Sequence, residues 1–323
     1  MALAVLKFGG TSLSTDAKRK YVYDKIINYK KRYSHLVVVV SAQGREGDPY
    51  ATDTLINLIK DRHGDSNKRE IDMIYSCGEM ITASIVASGL NDKGYPSISM
   101  TGWQAGIITD FNHFDADILS IRPGSIRRQL ALGKIIVVAG SQGLTNSGDI
   151  TTLGRGGSDT TAVALGSALK AESTIIYTDV EGIMTADPKL IETAKVIKHA
   201  DFEFCRTYAD YGAKVLHNKA AGIAQKMTCS NLYVRSTFSD NPGTKITNQK
   251  KNVFGIACDT LSRDVIVVHT YSNRSHRDKM VSIIKKHDGA DMRLLDRQLR
   301  FLLHEEHFMQ SLKEIHNDFL VHF

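Results

Sequence analysis

Six consecutive residues constrain this chain more than any others: His35-Leu36-Val37-Val38-Val39-Val40. The run is short, β-branched and apolar without alternation. A strand with one face in water alternates apolar with polar residues, so this one must be covered on both sides, as strands of a parallel sheet flanked by helices are. Apolar runs at Leu3–Phe8, Ile135–Ala139, 173–177 and 232–235 predict further strands. Periodic stretches predict helices over 16–32, 54–61, 68–87, 125–132, 159–169 and 212–225. Strands alternating with helices predict an α/β fold around a mainly parallel central sheet.

Turn residues cluster at Ser239-Asp240-Asn241-Pro242-Gly243-Thr244, and the next stretch to Asn252 is polar. This predicts a boundary between a unit at 1–247 and a second at 253–323. The second reads as strand 264–270, helix 276–287, strands 291–295 and 299–303, and helix 308–317, with 319–323 as a closing strand. That order suits a small ferredoxin-like α+β module.

Lys and Arg number 41 against 35 Asp and Glu among 323 residues, a net charge of +6. The excess suits a small anionic ligand and is too diffuse to predict nucleic-acid binding. The four cysteines, at 77, 205, 229 and 258, form no C-x-x-C pair and stand at no zinc-finger spacing. They read as free thiols in a reducing compartment. Charged residues interrupt every long apolar stretch, and the N-terminus lacks signal-peptide organisation, which predicts a cytoplasmic protein with no membrane segment. The sequence His304-Glu305-Glu306-His307 lacks H-E-x-x-H spacing and predicts no metal site.

Two loops carry candidate chemistry. Lys7-Phe8-Gly9-Gly10-Thr11-Ser12 follows the first strand. Its glycines let backbone N–H groups approach a ligand, and its lysine can meet a phosphate as a point charge. The pattern is not a Walker A loop. The second is Thr151-Thr152-Leu153-Gly154-Arg155-Gly156-Gly157-Ser158-Asp159-Thr160-Thr161, ahead of an apolar helix. Ser158 or Asp159 is suited to cap that helix. Arg155, between glycines, has little to pack against and presents its fork to a carboxylate or phosphate.

Taken together, these loops resemble those of aspartate kinases of the amino-acid kinase superfamily. Val40-Ser41-Ala42, Tyr50-Ala51-Thr52-Asp53, Ser76-Cys77-Gly78-Glu79, Thr101-Gly102-Trp103-Gln104-Ala105-Gly106, Thr178-Asp179-Val180-Glu181-Gly182-Ile183-Met184-Thr185-Ala186-Asp187-Pro188 and Gly212-Ala213-Lys214-Val215 agree in order and spacing. The stretch from Gly44 to Asp53 most resembles the Bacillus-type diaminopimelate-pathway isozymes. The resemblance implies an αβα sandwich that phosphorylates the β-carboxylate of L-aspartate with ATP, at the entry to lysine, threonine and methionine synthesis. It implies catalytic roles for Lys7 and Asp159. Ser41, Thr52, Glu79, Arg155 and Ser158 would bind aspartate, with Arg155 on the α-carboxylate and Glu79 on the α-ammonium. Lys7, Gly9, Gly10, Thr11, Thr178, Asp179, Met184, Asp187, Pro188 and Lys214 would hold ATP, and Mg²⁺ would ride on its phosphates.

The sequence departs from the family pattern at Gln43, where Met is common, at Ser141, where Phe or Tyr is common, and at Asn218, where Pro is common. The family usually ends in two ACT modules that bind inhibitory lysine or threonine. Here the tail suffices for one, which implies a homodimer formed through it. The segment where such a module carries a glycine-containing ligand loop reads Tyr271-Ser272-Asn273-Arg274-Ser275-His276, without Gly or Pro. This predicts altered or absent feedback. Two other readings fit the motifs: a paralogue acting on another small acidic substrate, and a non-catalytic aspartate- or nucleotide-binding regulator.

Overall fold

A computed structural model describes residues 2–60, 68–211, 218–226, 231–249, 252–259, 262–271, 274–287, 289–295 and 297–322. The chain opens with β1 (Leu3–Phe8), α1 (Gly10–Leu13), α2 (Asp16–Lys30), β2 (His35–Val40), α3 (Thr52–Lys60) and α4 (Lys68–Asp92). It continues through β3 (Ser97–Met100), β4 (Ile107–Thr109), β5 (Ile118–Ile121), α5 (Gly124–Ala131), β6 (Ile135–Ala139), β7 (Gln142–Leu144), β8 (Ile150–Thr152) and α6 (Gly157–Ala168). Then come β9 (Ser173–Thr178), β10 (His199–Asp201), α7 (Phe202–Asp210), α8 (Asn218–Lys226), β11 (Leu232–Ser236) and β12 (Thr244–Thr247). The tail holds β13 (Phe254–Asp259), β14 (Asp264–His269), α9 (Arg274–Lys286), β15 (Ala290–Leu295), β16 (Gln298–Leu302) and α10 (Phe308–His322). Of the helix expected over 212–225, residues 212–217 lie outside the described residues.

The main sheet runs β10-β12-β11-β9-β1-β2-β6-β3. Every pairing is parallel except β11 with β12. As its composition requires, β2 is covered on both faces. Val37 and Val39 pack with Ala162 and Leu165 of α6. Leu36, Val38 and Val40 pack with Ile26 of α2 and Val86 and Leu90 of α4. Burying a Val or Leu side chain contributes about 1.5–3 kcal/mol, so one strand ties both helical layers to the sheet.

Helix α4 is long and apolar enough, by length and composition alone, to cross a membrane. The expectation that no segment is apolar enough is corrected here. The helix packs against β3, β6 and β8, and its buried face carries Asp72, Ser76, Glu79, Ala83, Val86 and Leu90 at helical spacing.

The tail forms a second sheet, β13-β14-β16-β15, antiparallel throughout. Val265, Val267, Leu299 and Phe301 on one face meet Met280, Ile283 and Ile284 of α9 and Leu312, Ile315 and Phe319 of α10. On the other face Ile266 and Val268 join the core that contains Phe204 and Tyr208 of α7. One expectation fails: 319–322 continue α10 and form no strand. Phe308, Leu312, Ile315 and Phe319 recur at helical spacing, and Phe319 is buried edge-on to Phe254. The sheet position beside β14 is taken instead by β13, which precedes it in the chain.

Candidate active site

The carboxyl ends of parallel strands are where open α/β sheets bind ligands. Here the loops after β1, β2, β6 and β9 lie side by side at that edge. Alternation along β1 sends Leu6 and Phe8 toward α2 and α4, and Lys7 to the opposite face, where α6 packs. There the Lys7 Nζ meets Asp159 Oδ1, from the first turn of α6, at 2.6 Å. Both side chains are nearly buried, at 12% and 10% exposure, so water screens the pair weakly.

Helix α6 begins without a side-chain cap. Its N-cap is Gly156 in the left-handed region (φ 69°). The expectation that Ser158 or Asp159 caps the helix is therefore corrected: both side chains face a cavity. That cavity, of about 140 Å³, is lined by Lys7, Ser41, Thr52, Tyr75, Glu79, Gly156, Gly157, Ser158 and Asp159. It is small beside the roughly 300–1,000 Å³ of sites for drug-sized ligands.

Glu79 lies on the buried face of α4, and its Oε2 has no hydrogen-bond partner among the described residues. Burial pushes its carboxyl up to about 8, against the opposing effect of backbone hydrogen bonds from Ala42 and Glu79 itself. A buried carboxylate with an unmet oxygen is costly unless a cation arrives. Tyr75, one turn before it, is raised chiefly by burial, with Glu79 adding and the Ser141 hydrogen bond and the Arg155 charge opposing. Arg155 thus acts on the cavity wall electrostatically while its own side chain is exposed.

A second cavity of about 500 Å³ is lined by Thr178, Asp179, Met184, Asp187 and Pro188, by Tyr208 and Tyr211, and by Ile256, Cys258 and Leu312 of the tail. Gly9, Gly10 and Thr11 follow Lys7 at the end of β1. A Cβ on Gly9 would make an ordinary contact with Lys7 Nζ at 3.6 Å, whereas one on Gly10 would strike Ala42 O at 2.2 Å, so only glycine fits at position 10. Thr11 Oγ1 accepts from Arg45 Nε at 3.3 Å, and Arg45 Nη2 reaches Asp179 at 2.9 Å.

The residues expected from sequence therefore fall into two sets. Lys7, Ser41, Thr52, Glu79, Ser158 and Asp159 share the small cavity, and Thr178, Asp179, Met184, Asp187 and Pro188 share the large one. Lys214 lies outside the described residues. Sequence reasoning passed over Tyr75 and Arg45. The first was detectable, since it stands four residues before Glu79 on the same helical face. The walls supplied by Ile256, Cys258 and Leu312 leave no local signal, because they come from a strand and a helix of the tail, distant in sequence.

The sequence pattern of the amino acid kinase family matches residues 2–236. Aspartokinase of Geobacillus stearothermophilus is 44% identical over 249 residues, covering 77% of this chain and 60% of that protein. Aspartokinase 1 of Bacillus subtilis is 43% identical over 255 residues, covering 79% of this chain and 63% of that protein. The chain thus spans about three-fifths of the length of these relatives. Among solved structures, aspartate kinase from Synechocystis superimposes with a TM-score of 0.68 at 31% identity, over 96% of this chain and 54% of that one. E. coli aspartokinase III in complex with aspartate and ADP superimposes with a TM-score of 0.78 at 18% identity, over 98% of this chain and all of that one. With the parallel sheet, the glycine corner and the two cavities in place, the match over most of its length makes this chain a member of the amino acid kinase family.

Proposed function

We propose that the protein transfers the γ-phosphoryl group of ATP to the β-carboxylate of L-aspartate, giving 4-phospho-L-aspartate and ADP. The observation that carries this reading is the small cavity. It joins a buried carboxyl, Glu79, whose Oε2 has no partner among the described residues, to an ammonium, Lys7, and the exposed Arg155 directly precedes Gly156 of its wall in the chain. The zwitterionic end of an amino acid answers Glu79 and Arg155, which leaves Lys7 for the phosphoryl group that a second carboxylate receives. The relatives bear the name aspartokinase, and the neighbouring E. coli structure holds aspartate and ADP.

In this reading Arg155 takes the α-carboxylate, Glu79 the α-ammonium, and Ser41, Thr52 and Ser158 the remaining polar edges. The β-carboxylate is ionised at neutral pH, so no strong base is needed. One of its oxygens attacks the γ-phosphorus as the bond to the bridging oxygen of ADP breaks. Lys7, held by Asp159, neutralises charge on the moving phosphoryl group, and the backbone of Gly9 and Gly10 and the hydroxyl of Thr11 flank it. The larger cavity takes the nucleoside against Thr178, Asp179, Met184, Asp187 and Pro188, and the family resemblance assigns Lys214 to the phosphates. No group of three or more His, Cys, Asp or Glu among the described residues is placed to hold a metal. In this reading Mg²⁺ is carried on the nucleotide, where it would offset phosphate charge.

Residues 1–247 serve as the catalytic unit and 253–323 as an ACT-like regulatory and dimerisation module in a cytoplasmic homodimer. Trapping the acyl phosphate as its hydroxamate, with ATP, Mg²⁺ and L-aspartate, tests the reaction. Turnover with aspartate and none with glutamate or UMP is expected. Turnover with another acidic substrate and none with aspartate would replace the reading. The same assay should show no inhibition by lysine or threonine below millimolar concentrations, given a 271–276 segment without Gly or Pro; Ser272 and Asn273 lie outside the described residues. Inhibition by either amino acid in that range would discard the feedback proposal.

A further inference from the structure

The proposed chemistry leaves Asp72 without a task, although it is fully buried in α4. It stands three residues before Tyr75 and seven before Glu79, on the face that α4 turns to the small cavity. Its carboxylate is met from several directions. Oδ2 lies 2.7 Å from His113 Nδ1, both oxygens accept from the Phe114 N–H at 3.1 Å, and Oδ1 accepts from the Thr152 hydroxyl. An isolated carboxylate is expensive to remove from water, and one this well satisfied rigidifies whatever it joins.

What it joins lies next to Arg155. Thr152 ends β8, three residues before the guanidinium. The loop carrying His113 and Phe114 also binds that strand directly, through Ala116 N to Thr152 O at 2.9 Å. The loop then presses on the glycine-rich turn. A Cβ on Gly154 would lie 2.9 Å from Asp115 Oδ1 and 3.1 Å from Phe114 O. Phe114 itself is left-handed (φ 70°), an arrangement that persists where surroundings hold it, and its ring stands edge-on to Tyr75 at 6.5 Å. Lys219 of α8 secures the far side of the loop by pairing with Asp115 and with Asp117 at 3.5 Å. Gly154 and Gly156, both left-handed, give the turn little stiffness of its own.

We propose that Asp72 is a positioning residue: by tying α4 and the His113–Phe114 backbone to Thr152, it fixes the 154–157 turn and so holds the Arg155 guanidinium over the amino-acid cavity. This rests on reading that cavity as the aspartate site.

A double-mutant cycle of Asp72→Asn and Arg155→Ala tests it, with hydrogen exchange on the ligand-free proteins as a second arm. Asp72→Asn should raise the aspartate KM by about tenfold with little change in the ATP KM, since a misplaced binding group loses its orientation. In the Arg155→Ala background the same substitution should change the aspartate KM by less than about twofold, because both act through one guanidinium. The amides of 153–157 should exchange at least roughly tenfold faster in Asp72→Asn while those of β2 and β6 keep their rates. Independent, multiplying effects on KM, or unchanged exchange at 153–157, would overturn the proposal. If wild type does not phosphorylate aspartate, the functional reading fails and the exchange arm still decides the clamp. Should Asp72→Asn not fold, Thr152→Val removes one arm of the clamp and is judged by the same exchange and KM criteria.

Discussion

Lys7→Ala is expected to lower kcat by about 10²–10³, the usual consequence of removing one preorganised donor from a transition state. The aspartate KM should stay within about threefold, because in the proposed reaction the lost interaction belongs to the moving phosphoryl group and not to the bound amino acid. The geometry supports that separation. Lys7 leaves β1 on the α6 face and is pinned at 2.6 Å from Asp159, while Glu79 reaches the same cavity from α4. Removing Lys7 leaves a nearly buried Asp159 without its cation, so some stability is lost as well. Circular dichroism and a melting curve for the variant separate that loss from the catalytic one. Asp159→Asn should also depress kcat, by letting the ammonium wander. Unchanged turnover in a folded Lys7→Ala protein would remove Lys7 from the mechanism, and a rise in the aspartate KM alone would reassign it to substrate binding.

How far such roles can be read from sequence depends on where the physical cause lies. In β2 it is local: six apolar residues without alternation require cover on both faces, and α2, α4 and α6 supply it. The seven residues from Lys7 to Leu13 and the eleven from Thr151 to Thr161 place their charged groups by strand alternation and helix phase, which are also local. The sheet β5-β4-β7-β8 is different. Its strands have three or four residues, too short for a period to show, and its order depends on non-local pairing. The closing strand assigned to 319–323 failed for a related reason. A short apolar stretch containing Phe319 and Leu320 suits either element, and the choice was made by Phe254 and by β13 occupying the sheet position. Asp72 and His113 are 41 residues apart and belong to no shared motif, so only the folded chain brings them together.

The aspartate affinity of the protein should rise with pH, by about tenfold per unit below pH 8 and little above it. Burial raises the Glu79 carboxyl to about 8, so at neutral pH the free protein mostly carries a proton there. In the proposed site an arriving α-ammonium needs the ionised form, and binding there would expel that proton. The sign follows: lower pH strengthens the competing proton, higher pH removes it. Glu79→Gln fixes the neutral state and should abolish this slope. It should also weaken aspartate binding by roughly 10- to 150-fold at pH 8, since a hydrogen bond to a charged group contributes about 1.5–3 kcal/mol. Stability runs the other way in the ligand-free protein. With a folded value of about 8 against an ordinary 4.5, the native state holds the extra proton between those limits. Glu79 thus costs stability progressively as pH climbs from the lower value to the upper, and Glu79→Gln should melt higher than wild type at pH 8 with a smaller gain at pH 5. Calorimetric titrations of aspartate from pH 6 to 9, with melting curves over the same range, measure both slopes. A flat affinity profile in wild type, or a sloping one in Glu79→Gln, would mean that the ammonium is received elsewhere.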